Sequence, residues 1–137
     1  MDAEIKAIVD EAVESSDTSS EFLQNLLDVD IKVEGETGYL TFPVRKHILN
    51  RQGSIHGGIV GLAFDMALGS LHRLTIGPSI TVELKVQYLR TASEGMVTCE
   101  SNFLKRGRSI SFMESKMRSD KGDLLAAATA TLIPVTR

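Results

Sequence analysis

HGGIVGLAFDMALGSL, residues His56 to Leu71, is apolar or small at nearly every position and carries one acid, Asp65. A helix that is hydrophobic on all sides belongs in a protein interior. An ionised carboxylate placed there must be paired, hydrogen-bonded or neutralised, so a chain that keeps Asp65 has a use for it. The stretch is shorter than the ~20 apolar residues that cross a bilayer, and it reads as a buried core helix. Gly61 and Gly69 lie inside it, where each costs roughly 1 kcal/mol against alanine. Their presence predicts the close approach of another backbone. Gly61, Asp65, Gly69 and His72 share one stripe of the helix. Asp65 and His72 stand about 10 Å apart along the axis, too far to touch.

Upstream, Ile5, Ile8, Val9, Ala12 and Val13 recur at helical spacing with acids on the other face. Thr18 and Glu21 have capping-box spacing ahead of a second short helix carrying Phe22, Leu23, Leu26 and Leu27. Residues 1–28 are therefore a helical segment, and 29–137 the main body of a single domain. From Val29 the period is two: Val29, Ile31 and Val33, then Leu40, Phe42 and Val44, flank a four-residue connection, Gly35 to Gly38. Pro43, which lacks a donor, suggests an edge or a frayed strand end. Arg45 to Ile55 is polar and irregular and delivers the chain to the helix.

Downstream, Ile80, Val82, Leu84, Val86 and Tyr88 alternate with Thr81, Glu83, Lys85 and Gln87, so Thr81 is expected on the polar face of this strand. Three more strands follow: Met96 to Leu104, Ser109 to Met117 and Leu124 to Val135. Lys105 to Arg108 makes a basic turn between the first two. Short connections predict antiparallel neighbours. A strongly curved antiparallel sheet wrapped around the central helix is the simplest way to bury it, an α+β fold.

Composition narrows the function. The chain has 137 residues, 42% hydrophobic and 24% charged, as soluble globular domains do. A net charge of −3 does not suit a nucleic-acid binder. One cysteine, Cys99, excludes an intramolecular disulfide and is most simply a core residue. The acidic amino end has no signal-peptide pattern, which predicts a cytoplasmic protein without a membrane partner. There is no G-x-S-x-G elbow, and His47, His56, His72 and Asp65 have no recognised metal-ligand spacing. Neither a metal nor a separate cofactor is expected.

Asn50-Arg-Gln-Gly53-Ser-Ile-His56-Gly57-Gly58, with Asp65 nine positions after the histidine, resembles the hotdog-fold acyl-CoA thioesterases of the PaaI type. Tyr88-Leu89-Arg90, the turn Lys105 to Ser109, and Gly122 to Ala126 followed by Ala128, Thr129 and Ala130 extend the likeness from Val29 onward. The resemblance implies a hotdog fold and an acyl-CoA substrate. It also implies a homo-oligomer, a dimer or a dimer of dimers, with Asn50 and Gly57 of one subunit facing Asp65 and Thr81 of the other. Thr81 is the best match for the family's assisting hydroxyl, with Ser79 the alternative. A hotdog dehydratase would carry a different, histidine-bearing active-site helix.

The chemistry is also legible in the residues. A helix start offers free N–H groups and positive potential, and Gly57 and Gly58 let a carbonyl approach without meeting a Cβ. Gly57 N–H is then the donor that polarises the thioester, and Asp65 the general base or nucleophile. His56 suits a cap or brace better than a base. Asn50 has two readings, a turn stabiliser or a contact to thioester or water. Arg90, Lys105, Arg106 and Arg108 are candidates for the phosphates of coenzyme A, or simply a solvated hairpin tip. Gly58 reads as packing or a substrate contact, and Phe64, Met66, Leu68 and Leu71 as possible pocket lining. The competing function is a non-catalytic acyl-CoA-binding or regulatory module on the same scaffold, or one whose pocket is vestigial.

Overall fold

A computed structural model describes residues 1–17 and 19–135. It contains α1 (Ala3–Ser15), α2 (Ser19–Leu27), β1 (Asp30–Glu34), β2 (Thr37–Pro43), a 3-10 turn (Lys46–Ile48), α3 (Gly57–Thr75), β3 (Ser79–Tyr88), β4 (Met96–Lys105), β5 (Ser111–Ser119) and β6 (Leu124–Pro134). All six strands join one antiparallel sheet in the order β1-β2-β4-β5-β6-β3. α3 packs on the sheet, which is the α+β arrangement expected from the sequence.

A row of small side chains makes room for the helix. Gly38, Ser101, Ser115 and Ala128 are successive cross-strand partners. A Cβ at Gly38 would lie 3.2 Å from the Leu71 Cβ, so here the helix and sheet meet at minimum distance. Ser101 Oγ donates to Ser115 Oγ at 2.9 Å, which satisfies the two buried hydroxyls. Larger residues fill the space on either side. Phe42, Phe64, Val97 and Met117 belong to one core cluster, Leu68, Leu71, Met113 and Leu132 to the other.

Several expectations need correction. The first hairpin is closed by two residues, Gly35 and Glu36, not four, and Gly35 takes φ +63°. The local edge expected at Pro43 is present: β1 covers β2 only as far as Thr41, and Pro43 lies beyond that cover, where a missing donor breaks no β1 bond. β3 does not neighbour β4 despite the short connection. It crosses to the far side and pairs with β6, while β4 pairs with β2.

The central helix is not buried on all sides of one chain. Val60, Ala63, Phe64, Ala67, Leu68, Leu71 and His72 face inward, but Asp65 is exposed. Cβ atoms at Gly61 or Gly69 would meet nothing within 4 Å. The close backbone expected at those glycines is absent from the chain's own fold.

Asp2 caps α1, accepting from the Glu4 and Ile5 N–H groups at 2.9 and 3.2 Å. The Glu21 carboxylate accepts from Asp17 N–H at 2.9 Å, whereas Thr18 of the expected capping box lies outside the described residues. The two helices reach the loop that precedes α3: Asp2 pairs with Lys46, and His47 Nε2–H donates to the Leu26 carbonyl at 2.6 Å.

Candidate active site

The segment Asn50 to Gly58 is a tight loop ending in a helix start. Asn50 Oδ1 accepts from the N–H groups of Gln52 and Ser54 at 3.0 and 3.1 Å. Gly53 takes φ +82°, a left-handed conformation that costs a glycine little, and donates to the Asn50 carbonyl at 3.0 Å. Asn50 thus organises the turn, the first of its two sequence readings, with its amide nitrogen 3.2 Å from Ser54 Oγ. His56 N–H donates to the Ile48 carbonyl at 2.9 Å, which sets the entry to α3.

The helix start is almost fully satisfied. His56 is the N-cap, its Nδ1 accepting from Gly58 N–H at 3.1 Å, which fixes Nδ1 as the unprotonated ring nitrogen. Ile59 and Val60 N–H donate to the His56 carbonyl at 2.9 and 3.2 Å. Among the described residues this leaves Gly57 N–H without a partner. The Gly57 carbonyl accepts from the Tyr88 hydroxyl at 2.8 Å, and a Cβ at Gly57 would lie 3.6 Å from the Tyr88 ring. Tyr88 therefore holds the peptide next to the free donor. It is missing from the sequence-based site candidates because its place in the alternating run marks it as a strand residue and says nothing of the Gly57 carbonyl it meets.

Asp65, two turns further along α3, accepts from the Thr81 hydroxyl at 2.9 Å on Oδ1. None of the ion pairs among the described residues involves it. Thr81 reaches Asp65 because β3 is irregular: Thr81 opposes Leu132 but Glu83 opposes Thr131, leaving Val82 as an extra residue. Thr81 thereby shares a face with Leu84, three positions on, instead of with Glu83. Simple alternation put Thr81 on the polar face; the bulge puts it on the helix face. Bulges redirect side chains in this way next to functional sites. Ser79 opposes Pro134 two positions before Thr81, and the side chain bonded to Asp65 is that of Thr81.

The basic candidates fall in two places: Arg90 follows β3, and Lys105, Arg106 and Arg108 lie at the β4–β5 turn. Arg106 pairs with Glu36, donates to the Thr75 carbonyl at 3.2 Å and lies 5.7 Å from the Phe103 ring centroid. It ties the β4–β5 turn to the carboxyl end of α3. Gly107 is required in that turn, where a Cβ would meet the Ile110 carbonyl oxygen at 2.1 Å. Lys105, Arg108 and Arg90 are exposed.

The three histidines stand apart: His47 at α2, His56 at the start of α3, and His72 fully buried near its end with Nδ1–H donating to the Gly77 carbonyl at 2.7 Å. No group of metal ligands forms among the described residues. Burial pushes the Cys99 thiol up to about 12, which keeps it a protonated core atom.

An apolar cavity of about 200 Å³ opens beside Gly57, between α3 and the ends of β3, β5 and β6. Ile55, Val60, Tyr88, Leu89, Met117 and Leu125 contribute to its lining. Phe64, Leu68 and Leu71 do not, being packed in the core. β3 closes the sheet with a free edge ten residues long, along which Ile80, Val82 and Tyr88 are 53%, 60% and 58% exposed. Among the described helices, none is long and apolar enough to cross a membrane.

The family model of the thioesterase superfamily matches residues 52–126, from the loop before α3 into β6. A candidate esterase of Saccharolobus solfataricus is 31% identical over 131 residues, covering 93% of this chain and 90% of its own length. A Bacillus halodurans protein crystallised with coenzyme A superposes with a TM-score of 0.84 at 18% identity, covering 100% of this chain and 97% of that one. The phenylacetic acid degradation protein PaaI of Thermus thermophilus superposes with a TM-score of 0.75 at 21% identity, covering 82% and 98%. This chain belongs to the thioesterase superfamily, a thioester hydrolase on the hotdog scaffold that the PaaI-type proteins share.

Proposed function

We propose that the chain hydrolyses acyl-CoA thioesters in a site built from two copies of itself. One observation carries this reading: the free Gly57 N–H and the Thr81-held Asp65 carboxylate sit on the same helix, eight residues and so roughly 12 Å apart along its axis. A thioester carbonyl on the first is out of reach of the second within one chain. A second copy supplies the missing half, and the long free edge of β3, with Ile80, Val82 and Tyr88 exposed along it, is the surface to receive it.

In that pair, Gly57 of one subunit polarises the carbonyl and stabilises the oxyanion. Asn50 and His56 aim it by setting the loop and the cap. Asp65 of the other subunit, held through one oxygen by Thr81, acts with the second. As nucleophile it attacks the carbonyl carbon, the C–S bond breaks, coenzyme A leaves as the thiolate, and water cleaves the resulting anhydride. As general base it takes a proton from the water that attacks directly. Single turnover in H₂¹⁸O separates the routes, since only the first can leave ¹⁸O in Asp65. Arg90, Lys105 and Arg108 are available for the phosphates, while Arg106 anchors its turn and Gly58 serves the cap. A coenzyme A substrate and a lone buried thiol both fit a cytoplasmic protein.

The test is release of free coenzyme A from a panel of acyl-CoAs. Asp65→Asn should lower kcat by about 10²–10⁴-fold and keep the fold, because the amide oxygen can still accept the Thr81 hydrogen bond. Undiminished hydrolysis by that variant refutes the assignment. Binding without hydrolysis by the unaltered protein favours the regulatory module.

A further inference from the structure

We infer that the apolar cavity beside Gly57 receives the acyl group, and that Met117 at its floor limits the acyl group to about eight carbons. The inference rests on the acyl-CoA reading above and adds to it where the acyl group lies and what sets its length.

Three observations place the acyl group there. The cavity lies next to the Gly57 segment, without Gly57 itself lining it: Ile55 and Val60 flank Gly57 in sequence, and Tyr88 both lines the cavity and bonds the Gly57 carbonyl. Its deep walls, Ile55, Val60, Met117 and Leu125, are buried hydrocarbon and thioether, whereas Leu89 and Arg90, beyond the end of β3 at the mouth, are exposed. The depth therefore suits an apolar group, and the mouth faces water, where a large polar carrier can remain. A broader depression of about 680 Å³ shares the Arg90–Ala92 rim, but Glu94, Asp120 and Asp123 outnumber its cations, Arg90 and Lys121. That lining suits neither hydrocarbon nor phosphate.

Size follows from volume. An apolar cavity of about 150 Å³ holds one benzene molecule. On the same scale the ~200 Å³ here holds about eight carbons, either a short chain or a ring with a short tether. Met117 stands on β5 opposite Cys99 of β4 and Ala126 of β6, with no exposed surface of its own. Ala126 also lines the cavity, and its small side chain leaves space that a larger residue would fill.

The experiment is a ladder of straight-chain acyl-CoAs from two to sixteen carbons, read as kcat/KM, with binding of the matching S-alkyl-CoA thioethers measured in parallel. In the unaltered protein kcat/KM should rise to about eight carbons, by roughly three- to fourfold for each buried methylene, and fall at least tenfold by sixteen. Met117→Ala should move the optimum to longer chains and Ala126→Val to shorter ones. A flat ladder, an optimum at sixteen carbons, or an unmoved optimum in a folded Met117→Ala protein overturns the inference. A thioether-binding optimum near eight carbons without turnover at any length upholds the cavity and refutes the hydrolase reading. Absence of thioether binding at every length overturns both. The ladder in the unaltered protein decides the matter even if a core variant fails to fold.

Discussion

Gly57 combines two properties: its N–H has no partner among the described residues, and its carbonyl is held by Tyr88. The neighbouring donors are occupied, Gly58 by the His56 ring and Ile59 and Val60 by the His56 carbonyl. This defines a substitution that removes the hydrogen bond donor and sets a ring where the carbonyl would approach it. Proline is favoured at the first helical position, where its missing N–H interrupts no helical bond. His56, at φ −61° and ψ 134°, already has the extended conformation that the residue before a proline requires. Gly57→Pro should keep the melting temperature within a few degrees and lower kcat by about 10²–10³-fold, the usual loss for one oxyanion donor. Wild-type turnover by a folded Gly57→Pro protein would show that the carbonyl is polarised elsewhere. The residue types at Gly57, Asp65 and His56 were legible in the sequence because each stands in a fixed relation to one helix. Tyr88 was not, since its role depends on where the end of β3 meets that helix.

Among the elements, β3 departs furthest from its sequence pattern. Its alternation is regular through ten residues, yet Val82 is extra in the pairing with β6, and Thr81 turns to the helix. No periodicity argument finds such a bulge, because the β6 partner that exposes it lies some fifty residues later. The small-residue row has the same character: Gly38, Ser101, Ser115 and Ala128 come from four strands and become one feature only when the register aligns them. Phe42, by contrast, shows its inward direction in the local pattern of β2 and is fully buried. Phe42→Ala should cost about 3–5 kcal/mol, read from urea unfolding followed by circular dichroism. A loss below 1 kcal/mol would mean that the core beside Phe42 collapses freely into the void.

For the whole molecule, the proposed division of the site between two copies gives a complementation test. Asp65→Asn subunits keep Gly57, and Gly57→Pro subunits keep Asp65. In a two-fold pair containing one of each, one site has both groups intact and the other neither. Equal mixtures, unfolded together and refolded, should recover about a quarter of wild-type activity if pairing is random, although each variant alone is nearly inactive. No recovery in a mixture shown to contain mixed pairs would assign the two groups to one chain. The open positions at Gly61 and Gly69 belong to this scale too, because the chain's own fold places nothing against them.

Local chemistry determined much about this protein without coordinates. An apolar stretch with one acid specifies a helix, since burying apolar surface is favourable, and singles out that acid as a candidate site residue, since keeping a charge beside apolar surface is costly. Period-two runs likewise specify strands, because successive side chains leave the backbone on opposite faces. Sheet order, the β3 bulge and the cavity beneath Tyr88 were decided by tertiary structure alone. Each depends on pairing between segments far apart in the chain, and a strand's own pattern carries no record of its neighbour or of where the pairing slips by one residue.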